Sequence, residues 1–227
     1  MKVALRISCL LAAFIVVSCT IPFASAYEDW KTAEGFTTED ALKIGKKLGI
    51  IWEPTEDGTY IAKDKGFDID QFTMGMNVEL EHGKRYKVTS VTYDNQLKTG
   101  KVALAHLNEF PDYYTRLDVM EEEADAEWEA ESIPVPIMTD PDMDLVKTFT
   151  SEEAQAIGEQ LGITWDKFDV EQFRAGMDIE LEHGSVDKTT DVTHNDPLLT
   201  GKIVLGHLVE FPDYYTRLYE MEEEAEA

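Results

Sequence analysis

The sequence predicts an all-α protein, a tandem duplication of a small three- or four-helix domain. Three observations carry that expectation. Apolar residues recur at helical spacing along the long segments. Serine, threonine and aspartate cap signals precede those segments. One block of sequence also occurs twice: residues 67–124 and 168–225 align without a gap, with 36 of 58 positions identical.

The chain has 227 residues and a formal charge of −26. Residues 1–26 read as a secretory signal peptide: Lys2 and Arg6 precede an apolar run, and Ala24-Ser25-Ala26 is a small-residue cleavage site. An exported chain, periplasmic or secreted, is expected. Val16-Val17-Ser18-Cys19 supplies the alternative, a lipid anchor on Cys19. The two positive charges lost with the leader take −26 to −28. That acidity excludes a nucleic-acid partner, because phosphate binding needs a basic face. Both cysteines, Cys9 and Cys19, leave with the leader. The mature chain is then held by its core, or by a metal.

The first repeat is placed at 36–124 and the second at 149–225. An acidic linker, 125–148, carries Pro134, Pro136 and Pro141. Thr38-x-Asp40 and Ser151-Glu152-Glu153 signal helix starts. The stripes Ala41, Ile44, Leu48 and Ala154, Ile157, Leu161 follow, and Gly49 and Gly162 suit the helix ends. The first repeat is longer in the segment Glu53 to Gly66, where Gly58 to Ala62 reads as a turn with a short extended piece. Trp52 and Trp165 read as core residues. The second helix is expected from Asp68 to His82, ended by Gly83, with Gly75 and Gly176 one turn before a glutamate and open to close approach. The loop Thr92-Tyr93-Asp94-Asn95 and its counterpart read as Asx capping rather than a calcium loop, with His194 on the surface. The third helix is expected to start near Thr99 or Gly100. Pro111 and Pro212 predict a kink or a fresh helix start. Met120-Glu121-Glu122-Glu123 reads as an exposed helix end.

Four of the five histidines fall in two copies of one pattern. Glu79-Leu80-Glu81-His82 and His106-Leu107-Asn108-Glu109 return as Glu180-Leu181-Glu182-His183 and His207-Leu208-Val209-Glu210. Residues three apart share a helical face. Neutral imidazole and carboxylate together are good donors for zinc, iron or manganese. The expected ligands are Glu79, His82, His106 and Glu109 in one repeat, and Glu180, His183, His207 and Glu210 in the other. Glu81 and Glu182 point away from that face on an ideal α-helix, so they are expected behind the ligands or at the surface. The hydroxyls of Tyr113 and Tyr214, one turn further on, are expected to orient a ligand or reach the metal. Each site is expected within one repeat, from its second and third helices. The rival is one shared dinuclear site with Glu79 and Glu180 in bridging range. Two other readings of the same residues are a metal-free buried polar network in a structural or interaction module, and a His/Glu acid–base site.

Gly-Met-x-x-Glu-Leu-Glu-His-Gly, Thr-Gly-Lys and His-Leu-x-Glu-Phe-Pro-Asp-Tyr-Tyr-x-Arg-Leu stand at 75–83, 99–101 and 106–117, and again at 176–184, 200–202 and 207–218. This pattern resembles a helical domain family of unknown function found in bacteria and phages. The resemblance implies a small helical domain in two copies and assigns no activity. The Glu-x-x-His steps also resemble ferritin-like di-iron proteins, although the extra glutamate-bearing helices of such a bundle are not apparent here.

Overall fold

The computed structural model describes residues 35–84, 87–130 and 148–227. The leader, its cleavage site, Cys19 and the linker prolines lie outside the described residues. The chain is mostly helical, and each repeat contributes four α-helices. The first repeat has α1 (Thr38–Lys47), a small hairpin of β1 (Trp52–Pro54) and β2 (Tyr60–Ala62), α2 (Ile69–Val78), α3 (Gln96–Glu109) and α4 (Tyr113–Ala130). The second has α5 (Ser151–Leu161), α6 (Val170–Ile179), α7 (Pro197–Glu210) and α8 (Tyr214–Glu226).

Local sequence explains most of these boundaries. The capping residues of α1 and α5 are Thr37 and Thr150, one position before the expected signals. Each forms a reciprocal capping box, with Asp40 or Glu153. Asp68 and Asp169 cap α2 and α6 through the amides of Gln71 and Gln172. Asn95 and Asp196 cap α3 and α7, so these helices begin before Thr99 and Thr200. Gly49 and Gly162 follow their helices with φ of 87° and 82°, a conformation that costs glycine nothing. Pro111 and Pro212 separate α3 from α4 and α7 from α8, so each is a fresh start and not a kink. The extra segment of the first repeat pairs Trp52 with Ala62 and Pro54 with Tyr60 in antiparallel register.

The helical stripes bury as their spacing predicts. Ala41 and Ile44 of α1, Phe72 and Met76 of α2, Leu104 and Leu107 of α3, and Tyr114 and Leu117 of α4 are all core residues. Trp52 lies half-buried, its ring 6.0 Å from those of Phe67 and Phe72. One expectation needs correction: α4 runs on to Ala130, into the segment read as linker. Met120 and Ala124 are buried, so this helix end is not merely an exposed tail. Of the two arrangements the duplication allows, two domains or one bundle made of two halves, the described residues of both repeats belong to one compact unit.

Reciprocal contacts join the two repeats. Val91, Val102, Val192 and Ile203 form a buried apolar cluster drawn from both. Lys101 donates to the carbonyl of Asp191 at 2.8 Å, and the equivalent Lys202 reaches the carbonyl of Ser90 at 3.5 Å. The same patch on each half meets its counterpart, the arrangement of a twofold interface.

Candidate metal centre

Each Glu-Leu-Glu-His run sits on a turn that is not α-helical. After α2 the chain tightens into a 3-10 turn over Glu79–His82, and after α6 into another over Glu180–His183. With three residues per turn, side chains at i and i+3 eclipse. Glu79 therefore lies directly over His82, and Glu180 over His183. The end of each turn is pinned. The carbonyl of His82 accepts from the amides of Val91 and Thr92, both at 2.9 Å, and from Thr92 Oγ1 at 3.1 Å. His183 is held the same way by Val192 and Thr193. The returning loop makes this possible by placing two successive residues at positive φ: Tyr93 and Asp94, or His194 and Asn195. Asp94 Oδ1 and Asn195 Oδ1 then accept from the amides of Lys84 and Ser185 at 2.7 Å.

The eight inward groups form a closed ring. Glu79 Oε2 is 3.6 Å from His82 Nε2, which is 3.3 Å from Glu81 Oε1. Glu81 Oε1 is 3.3 Å from His207 Nδ1, and His207 Nε2 is 3.4 Å from Glu180 Oε1. Glu180 Oε2 is 3.2 Å from His183 Nε2, which is 3.4 Å from Glu182 Oε1. Glu182 Oε1 is 3.3 Å from His106 Nδ1, and His106 Nε2 closes the ring at 3.5 Å from Glu79 Oε1. Two compact donor groups stand out: Glu81, His82 and His207, and His106, Glu182 and His183, each with its donor atoms within 4.8 Å of one another. Both groups mix the two repeats. The expectation of one self-contained site per repeat is corrected to two composite groups at the shared face.

Ligand-type atoms are buried here without hydrogen-bond partners. His82 and His183 are 1% and 0% exposed, and neither ring nitrogen of either makes a hydrogen bond among the described residues. The same holds for Glu79 Oε2, Glu180 Oε2, Glu81 Oε1, and Nδ1 of His106 and His207. Donors at about 2.0–2.2 Å from a shared tetrahedral ion lie about 3.3 Å apart, the spacing seen around this ring.

The sequence expectations exchange two pairs of roles. Glu109 is exposed and Glu210 half-buried, and neither joins a donor group. Both still act on the centre: Glu109 raises Glu182, and the charge of Glu210 raises Glu81. Glu81 and Glu182, expected behind the ligands, face the imidazoles of both repeats. Tyr113 and Tyr214 present ring faces, not hydroxyls, to the histidines. They stack on His106 and His207 with centroids 4.4 and 4.3 Å apart. The hydroxyls come from the neighbouring Tyr114 and Tyr215, which donate to Glu79 Oε1 and Glu180 Oε1 at 2.8 Å. Sequence reasoning missed these two, although Gly75 and Gly176 were the signal. The tyrosine rings lie against those glycines. His194 is exposed and pairs with Asp191 at 2.8 Å, as a surface residue.

Burial sets the protonation of the centre. It raises Glu79 to about 7; the Glu180 charge pushes the same way, while His183 and Tyr114 oppose it. Burial also holds Glu81 and Glu182 well above the usual carboxylate range. It lowers His82 to about 3, and His106 and His207 well below 6.5, so these rings are neutral, as metal binding requires. Burial lowers His183 as well, but the adjacent Glu180, with Glu79 and Glu109, outweighs it and leaves this ring more basic than usual. The main charges acting on Glu79, Glu81 and Glu182 come from histidines and other carboxylates, none from lysine or arginine. The donor set can hold a metal, and it is also a buried network of His–Glu pairs.

A family model described as a protein of unknown function, DUF5661, matches residues 41–123 and 154–224. Neither a comparison with curated proteins nor one with solved structures finds a match.

Proposed function

The chain belongs to the DUF5661 family, a family of unknown function, and we propose from its centre that it binds divalent transition-metal ions at the face shared by its repeats. One observation carries this reading. Buried imidazole nitrogens and carboxylate oxygens converge at 3.2–3.6 Å, and among the described residues both ring nitrogens of His82, Nδ1 of His106 and His207, Glu79 Oε2 and Glu81 Oε1 have no hydrogen-bond partner. A core polar network is retained when its members satisfy each other, whereas metal ligands leave their lone pairs free for an ion. Mixed imidazole and carboxylate donors favour zinc, iron or manganese over calcium. The tyrosine hydroxyls on Glu79 and Glu180 and the rings stacked on His106 and His207 supply the outer contacts that orient ligands.

Elemental analysis of the untagged mature chain tests the proposal. Bound metal is expected, and it is lost in the double variant His82→Ala, His183→Ala. No metal under any loading condition, with the fold intact, leaves the metal-free structural or interaction module as the function. The proximity of Glu180 to a basic His183 favours that second reading. The leader-type residues 1–26 add an exported location to the proposal. N-terminal sequencing of the secreted chain, expected to begin at Tyr27, checks it; a lipid on Cys19 would replace it with an anchored form.

A further inference from the structure

Resting on the metal-binding reading above, we infer that the centre is dinuclear, with two divalent cations bridged by the carboxylates of Glu79 and Glu180. The two compact donor groups are each two histidines and one glutamate, and each supplies a complete set for one ion. Glu79 and Glu180 stand between them. Glu79 turns Oε2 toward His82 of one group and Oε1 toward His106 of the other, at 3.6 and 3.5 Å. Glu180 does the reverse, with Oε2 at 3.2 Å from His183 and Oε1 at 3.4 Å from His207. A carboxylate with one oxygen on each of two donor sets is a bridge. Tyr114 and Tyr215 fix the rotation of these bridges, each donating to Oε1 and leaving Oε2 free.

Four carboxylates and four imidazoles face the centre, two imidazoles and one terminal carboxylate in each donor group and two carboxylates between the groups. With His106 and His207 binding through Nε2, the nitrogen that faces the bridging glutamates, each ion draws on two imidazoles, one terminal carboxylate and one oxygen from each bridge. Five donors exceed the four of structural zinc and fit manganese or iron with one position left for water or a small ligand. Carboxylate-bridged ions of this kind sit about 3.5–4 Å apart.

Manganese(II) chloride titrated into the full metal-stripped chain, followed by electron paramagnetic resonance, tests this. The expected result is saturation at two equivalents, with the hyperfine sextet of isolated manganese replaced by the broad spectrum of an exchange-coupled pair. The variant Glu79→Gln, Glu180→Gln is expected to lose the coupled spectrum, and circular dichroism reports whether it has folded. The wild-type spectrum decides even if the variant does not fold. Saturation at one equivalent, or two equivalents with the sextet of isolated ions, overturns the dinuclear centre and leaves metal binding standing. No manganese, zinc or iron bound by a folded chain overturns both.

Discussion

Gly75 has no side chain because the Tyr114 ring occupies the space that a Cβ would fill. The same ring carries the hydroxyl that holds Glu79. Gly75→Ala therefore forces a buried aromatic away from its carboxylate. Overpacking of this kind costs about 1–3 kcal/mol and outweighs the helix propensity gained. Urea denaturation of the metal-free variant measures it, and an unchanged midpoint contradicts the packing. Gly176→Ala should behave alike against Tyr215. The histidines were legible in the sequence because a buried ligand pair at i, i+3 leaves a fixed spacing. Tyr114 was not, because in an adjacent apolar stripe a tyrosine looks like any other core aromatic. Its role depends on where its hydroxyl ends, and only packing settles that.

Protonation is argued at the same scale. Glu79 is raised in the folded state from 4.5 to about 7, so its contribution to stability is full below pH 4.5 and is lost as pH rises through 7. His82 is depressed from 6.5 to about 3, so its contribution is full above pH 6.5 and is lost as pH falls toward 3. Metal-free protein is then expected to be most stable between about pH 4.5 and 6.5 and less stable on either side. Thermal melts of chelator-treated protein across pH 3–8 check this. A steady rise in stability up to pH 8 would contradict the burial of these groups.

At the scale of elements, the change from α-helix to 3-10 turn after Val78 and Ile179 decides which carboxylates face inward. On an uninterrupted α-helix Glu81 points some 200° from Glu79, from 100° per residue. On the tighter turn it faces α7 of the other repeat, where it meets His207. Nothing in the residue pattern announces that turn, so the inward place was expected of Glu109 rather than of Glu81. By contrast, the caps, Pro111 and Gly162 act locally, and their consequences were readable. The loop that pins His82 relies on Asp94 at φ 57°, whose carboxylate accepts from the Lys84 amide. The second repeat does the same with Asn195. Asp94→Asn should accordingly be nearly neutral. Asp94→Ala loses the acceptor and keeps the left-handed backbone, at a cost of about 1–2 kcal/mol. Chemical denaturation of the two variants side by side checks the difference.

At the scale of the whole molecule, the duplication was legible in full, but its consequence for the site was not. Sequence identity shows that two halves fold alike, and it is silent about which surface joins them. Val91 and Val102 of one repeat bury against Val192 and Ile203 of the other, a partner their own spacing does not name. Residues 27–138 alone carry Glu79, Glu81, His82 and His106 but lack Glu182, His183 and His207. A single repeat also uncovers the apolar patch and exposes four ligand-type side chains together. It is expected to self-associate, two copies meeting through the face that now joins the repeats. Analytical ultracentrifugation should find a dimer whose metal capacity matches that of the intact chain. A monomer that binds metal as tightly as the full chain would show that the second half is not needed.

A self-pairing fragment of this kind is confined to identical halves related by a twofold rotation: any change in it appears twice, on both sides of the axis. Joining the copies in one chain lifts that constraint. Position 105 is alanine, while its counterpart Gly206 leaves room beside the His82 ring, 3.2 Å from where a Cβ would stand. Tyr93 faces solvent where the other half carries His194. Such single-sided differences let the surroundings of one donor group change while those of the other are held fixed. Gly206→Ala, which makes the two halves alike at that point, is the change that removes the difference beside the His82 ring.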